Sequence, residues 1–209
     1  MQAERFLDEY AVHSVRRNWA LARDNGDWDA FRACFHPDAT VRVLWYSGPA
    51  KPFIEQTVES AGKRKPGGKS TRHWLGNYRV WLNGARAILE TDTMIINRDR
   101  YKGHLVDYVM NLRLYDRMER RDGEWRILRM DAIYDRDRLD PVIPGSLPPG
   151  FFEGVPLEGP EAQMGLTRWR LKGRGVEFPV DLPIGGTETE TAVRKETEAW
   201  LNAQPAPKA

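Results

Sequence analysis

The chain has 209 residues, enough for one large domain or one domain with an appendage. Its 32 basic and 30 acidic residues are well mixed and leave a net charge of +2, which argues against a dedicated nucleic-acid surface. A single cysteine, Cys34, excludes an internal disulfide and a cysteine-based metal site, and no apolar run reaches membrane-spanning length. Eight Trp, seven Tyr and seven Phe supply ample core material. Charges stand near the N-terminus where a signal peptide would be apolar, so the expected location is cytoplasmic, with no membrane and no nucleic-acid partner.

Residues 3–25 read as an amphipathic helix. Leu7, Ala11, Val15, Trp19 and Ala22 recur at helical spacing, and Gly26 suits a C-terminal stop. Asp24 then falls in the last turn, where a carboxylate opposes the helix dipole by about 0.3–1 kcal/mol. A cationic or hydrogen-bonding partner would offset that, although a solvated helix-end carboxylate is the commoner outcome. Asp27 suits the N-cap of a short helix over 28–35, closed by His36-Pro37. Residues 38–46 alternate as a strand with Val41, Val43 and Trp45 on one face, and residues 52–61 read as a third helix. The basic run 63–70 lacks a phosphate-binding fingerprint after a strand and reads as a solvated loop.

From Thr71 the pattern changes to strands at 71–82, 86–97, 104–117 and 124–134. Asn83-Gly84, residues 98–103 and Arg121-Asp122-Gly123 supply the turns. In the first of these strands Thr71, His73, Leu75, Asn77, Arg79 and Trp81 share a face, and a histidine there is a candidate acid/base group near neutral pH. Helices first and antiparallel strands afterwards indicate an α+β fold, three helices on one face of a curved sheet. From Asp140 Pro and Gly dominate, yet Phe151, Phe152, Leu157, Trp169 and Phe178 persist. The expected division is therefore a domain over 1–139 and an extension over 140–209 that wraps the domain or a partner subunit. A terminal helix is expected at 189–202.

Three stretches carry a resemblance. They are Leu21-Ala22-Arg23-Asp24 with Phe35-His36-Pro37-Asp38-Ala39, then His73-Trp74-Leu75-Gly76-Asn77-Tyr78-Arg79-Val80, then Glu119-Arg120-Arg121-Asp122-Gly123-Glu124-Trp125-Arg126-Ile127. Over about residues 3–137 the chain resembles the nuclear transport factor 2-like superfamily in its SnoaL-like branch, with scytalone dehydratases and hexachlorocyclohexane dehydrochlorinases as the nearest likeness. The resemblance implies a cone-shaped α+β barrel with a pocket between the helices and the concave sheet face. It also implies that Asp24, at the end of the first helix, pairs with His73 on a strand. His73 would take a proton from substrate, and Asp24 would hold the imidazole tautomer and stabilise the imidazolium. One departure is plain: the place of the dehydrochlorinase's pocket arginine is Met130 here, and the adjacent Arg129 should face the other way.

With His73 inward, alternation nominates the wall of that pocket. It comprises Trp19; Val41, Val43 and Trp45; Thr71 and Leu75; Tyr108, Met110, Leu112 and Leu114; and Leu128, Met130, Ala132 and Tyr134. Taken singly, each aromatic is more often plain core. Together they suit a hydrophobic or aromatic small molecule, with Tyr108, Tyr134 and the Trp45 indole as donors to a leaving oxygen. Asp92, which shares a face with Glu90, becomes a second acid/base group only if that face is the inner one. The four histidines show no paired ligand spacing, so no metal is expected, and no cofactor. The leading expectation is a cofactor-independent lyase, for dehydration or a related loss of formaldehyde, assembled as a homodimer or homotrimer through its sheet. The alternatives are a ketosteroid isomerase-like isomerase, a cyclase or an epoxide hydrolase on the same scaffold, or a non-enzymatic binding module, because fold alone does not decide function.

Overall fold

The computed structural model describes residues 2–63, 70–159 and 161–203. In chain order the elements are α1 (Gln2–Asn25), α2 (Trp28–Ala33), β1 (Phe35–Val43), β2 (Tyr46–Pro49), α3 (Ala50–Gly62), β3 (Ser70–Asn83), β4 (Arg86–Tyr101), β5 (His104–Arg121), β6 (Glu124–Pro141), α4 (Gly165–Lys172) and α5 (Glu188–Asn202). The basic-loop expectation falls on residues 64–69, outside the described residues.

The strands form one sheet in the order β2-β1-β6-β5-β4-β3, antiparallel throughout except for the parallel β1–β6 pair. The fold is α+β as expected, but the sheet is open: β2 and β3 are its edges. The cone is completed by helices on the concave face. There α1 buries Val12, Arg16, Trp19, Ala20 and Ala22. Leu7 of the expected stripe is exposed, because the contact with the core begins at Ala11. Gly26, at φ +77°, ends α1 in the left-handed region that glycine adopts without a Cβ penalty. Asp27 then caps α2 by accepting a hydrogen bond from Ala30 N at 3.1 Å.

Three differences from the sequence reading have local causes. Phe35, His36 and Pro37 begin β1 rather than closing α2: Phe35 is in register with Ile127 of β6, and Ile127 N donates to the Cys34 carbonyl at 2.8 Å. β4 and β5 run on through the polar 98–101 segment to a two-residue turn, Lys102-Gly103. Both turn residues have positive φ, a geometry that matches the strand twist. Arg98 and Asp107 are paired across this extension at 2.8 and 2.7 Å. Bulges also reverse the expected faces. Gly76 and Asn77 together oppose one residue of β4, so beyond them Val80 and Leu82 turn to the main core and Trp81 to the outer face. A second shift, at Arg117/Met118, leaves Leu128 unpaired and puts Ile127 in the core in place of the expected Leu128.

The extension touches both faces of the sheet. Its irregular stretch packs Phe151 against Tyr101 and His104, and α4 lies beside β6 on the concave side. Tyr134 of β6 forms an isolated parallel bridge with Ile184. On the outer face, Val193 and Leu201 of α5 pack on Ile88, Tyr115 and Ile133. Asn83 and Arg86 donate to the Leu201 and Trp200 carbonyls of α5 at 2.8 and 2.9 Å. This helix occupies part of the sheet face that the oligomer expectation reserves for a second subunit. Among the described residues no helix is long and apolar enough to cross a membrane.

Candidate active site

α1 ends where β3 begins its run across the concave side, and their junction holds one carboxylate. Asp24 Oδ1 accepts from His73 Nδ1 at 2.6 Å, and Oδ2 accepts from the His73 backbone N–H at 2.7 Å. Arg72 donates to the Asp24 carbonyl at 2.9 Å, placing a cation at the helix C-terminus. A single carboxylate therefore fixes both the strand and the ring, which answers the partner question raised by its position at a helix end. Because Asp24 only accepts, the imidazole proton belongs on Nδ1 and the lone pair on Nε2.

That lone pair faces a guanidinium: Arg23 Nη1 lies 2.5 Å from His73 Nε2. Burial and the Arg23 charge push the His73 pKa down to about 4, against the opposing pull of Asp24. Burial pushes the Asp24 carboxyl upward, but the hydrogen bonds and charge of His73, with the Arg23 charge, outweigh it and hold the carboxyl below its ordinary range. The resting pair is thus neutral imidazole and carboxylate.

Trp19 stands edge-on to His73 with ring centroids 5.2 Å apart, and its indole Nε1 is buried without a hydrogen-bond partner among the described residues. Behind it Arg16 lies 4.5 Å from the indole centroid and makes a fully buried two-point pair with Asp116, at 2.9 and 2.5 Å. Arg16 also donates to Met130 Sδ at 3.5 Å. Arg129 bonds Asp131 and Glu196 on the outer face, as its position beside Met130 suggested.

A cavity of about 340 Å³ opens beside His73. Trp19, Trp45, Thr71, Tyr108, Met110, Met130 and Tyr134 all line it, together with Val43, Leu112, Leu114 and Ala132. Val41 and Leu75 pack in the core instead. Trp45 stacks on Phe53 at the half-exposed rim, and Thr71 donates to Asn97 Oδ1 at 2.8 Å. The Tyr134 hydroxyl accepts from Leu44 N at 3.0 Å and keeps its own proton; burial pushes its pKa up to about 12. Tyr108 is not the donor expected of it. Thr167 Oγ1 gives its proton to Asp137 Oδ2 at 2.5 Å, so the Tyr108 hydroxyl donates to Thr167. Asp92 is exposed on the outer face, the face on which Glu90 bonds Arg194, so this carboxylate does not enter the cavity. Among the described residues no three His, Cys, Asp or Glu side chains are placed to hold a metal ion.

Sequence reasoning missed several parts of the wall, among them Leu44 and, from α3, Phe53, Thr57 and Ser60. Asn97 and Ile95 follow from alternation once His73 is known to pair with Ile95, a signal that was available. Arg23 from α1, and Thr167, Arg170, Leu171 and Arg174 from the α4 region, had no such signal.

The fold and this site can be set beside known proteins. A protein called pea pathogenicity protein 2, from Fusarium vanettenii, is 24% identical over 178 residues, which span 85% of this chain and 75% of that one. Among solved structures, a scytalone dehydratase-like protein of Novosphingobium aromaticivorans superposes with a TM-score of 0.57 at 16% identity, covering 66% of this chain and 91% of that one. A hexachlorocyclohexane dehydrochlorinase superposes with a TM-score of 0.54 at 16% identity, covering 72% and 99%. At such identities the structural likeness speaks for the fold. The model of the SnoaL-like domain matches residues 4–131, from α1 into β6, and by that match the chain belongs to the SnoaL-like family.

Proposed function

We propose that the protein is a cofactor-independent lyase that eliminates water, or a related small fragment, from a hydrophobic aromatic molecule. The observation that carries this reading is the Asp24–His73 hydrogen bond of 2.6 Å on a ring whose other nitrogen belongs to a cavity-lining residue. In the dehydration, His73 Nε2 takes a proton from a substrate carbon. The C–H electron pair becomes the new C=C bond, and hydroxide departs from the neighbouring carbon. The imidazolium, stabilised by Asp24, returns the proton to the departing oxygen, so water leaves and the base is neutral again. Arg23, which lies against Nε2, gives way to the substrate proton and turns its charge toward the oxygen that becomes negative. Tyr134, with its proton uncommitted, is the neutral donor on the same wall.

The isomerase reading leaned on an inward Asp92, and its exposure on the outer face weighs against that. A panel of phenolic, terpenoid and steroid alcohols, screened for a new conjugated double bond by absorbance, tests the lyase reading. His73→Ala is expected to lower kcat by roughly 10²–10⁴-fold and Asp24→Asn to abolish most of the turnover, with both proteins folded by circular dichroism. A fully active His73→Ala variant would sink the reading.

A further inference from the structure

The wall contributed by the extension has a chemistry that the elimination does not use. Arg170 of α4 is mostly buried, and its guanidinium lies over the Tyr108 ring at 3.9 Å from the centroid. Its Nε is buried with no hydrogen-bond partner among the described residues. Arg174 stands at the exposed mouth beside it, and among the described residues no carboxylate lines the cavity. Asp99 is the carboxylate whose charge acts on Arg170, without a hydrogen bond or ion pair between them. Asp137, whose charge acts on Tyr108, is committed to the backbone N–H and hydroxyl of Thr167. A desolvated guanidinium compensated only by the Tyr108 hydroxyl and the Asp99 charge is costly, and Arg170 resists protonation through burial and through the Arg174 charge. A ligand anion would relieve both.

The register places this charge at a defined remove from the base. Tyr108 pairs with Asn97, and Asn97 with Thr71, which is two residues from His73 on the same face. Two strand spacings of about 4.8 Å and two residues of about 3.4 Å put Tyr108 roughly 12 Å from His73 along the sheet. A planar acid of one or two rings spans that interval between side chains that reach toward each other.

We propose that the substrate is an aromatic carboxylic acid whose carboxylate is held by Arg170, with Arg174 drawing it in at the mouth, while its far end meets His73. This deepens the lyase reading, on which it rests for calling the ligand a substrate. It assigns a specificity role to α4, outside the stretch matched by the family model. The fork of Arg170 suits a carboxylate, because two parallel N–H donors match its two oxygens.

Titration calorimetry on the full chain at neutral pH and low salt tests it with matched pairs, 2-naphthoate against 2-naphthamide and cinnamate against cinnamamide. At least one acid is expected to bind ten-fold or more tightly than its amide. Arg170→Met should remove that preference while leaving amide binding within about three-fold. Arg170→Lys should restore part of it, which a folding defect would not. Arg174→Ala should weaken the acid by a smaller factor that salt erases. Equal binding of acid and amide, no acid of the set binding below about a millimolar, or an acid preference unchanged in Arg170→Met would each overturn the proposal. The two readings fail separately. An acid preference that depends on Arg170, together with a fully active His73→Ala enzyme, keeps the anion site and removes the lyase. An inactive His73→Ala enzyme whose parent prefers no acid does the reverse.

Discussion

The two faces of the sheet handle charge in opposite ways. On the outer face, Arg113 reaches Asp135 at 2.8 Å and Glu190 at 2.7 Å, and Arg194 reaches Glu190 at 2.7 Å and also Glu90. Each carboxylate of this network is answered, and the network ties α5 to β4, β5 and β6. On the inner face Asp24 is spent on His73, and Arg170 and Arg174 line a cavity to which the described residues contribute no carboxylate. Matched charges fasten one element to another. Cationic side chains without an ion pair, one of them desolvated, are the arrangement expected where a ligand completes the balance.

Three measurements break or sharpen that contrast, beyond the His73 and Arg170 variants. The largest effect is expected at an inner-face ion pair that is sealed from solvent, Arg16–Asp116. Asp116→Asn leaves the Arg16 guanidinium buried without its counterion and should cost about 3–5 kcal/mol in urea unfolding. A loss under 1 kcal/mol would mean that this pair is no more structural than the outer network.

The second concerns pH. The His73 pKa near 4 lies below the ordinary histidine value of about 6.5, so the folded state resists a proton that the unfolded chain accepts. Stability is therefore intact above about pH 6.5 and declines as pH falls toward 4, and activity should show its acid limb near 4. Removing the Arg23 charge removes a force that disfavours the imidazolium, so Arg23→Gln should move the kcat/KM limb upward toward 6.5. An unmoved limb would take Arg23 out of the electrostatics of the base.

The smallest effect belongs to the outer face. Glu190→Gln should cost about 1 kcal/mol or less, because Asp135 and Glu90 continue to satisfy Arg113 and Arg194 near solvent. A cost comparable with that of Asp116→Asn would erase the distinction between the faces.

Much of the cavity wall was legible because strand alternation is a period-two rule with one free choice. Once His73 is set inward, Tyr108, Met110, Met130 and Tyr134 follow, and all four line the cavity. The rule fails where one extra residue enters a strand, at Gly76-Asn77 and at Leu128, because each bulge exchanges the two faces beyond it. Arg23 was invisible for a different reason. It is adjacent to Asp24 on a helix, about 100° around the axis, and nothing local says which long side chain will bend toward the ring. α4 is an eight-residue helix that begins after Met164 at φ +58°, with no side-chain cap, so it lacked the usual start signals.

The sequence by itself determined the order of helices and strands and the α+β class, because amphipathic period and turn chemistry are local properties. It also nominated Asp24 and His73, through the resemblance of short stretches to a known family. Only the tertiary structure decided that the cationic wall comes from the extension. Arg170 and His73 are 97 positions apart (170 minus 73), and they line one cavity only because α4 packs on the concave side of a sheet whose register sets the distance between them. Contacts of that span are governed by packing and loop closure, which no local pattern encodes.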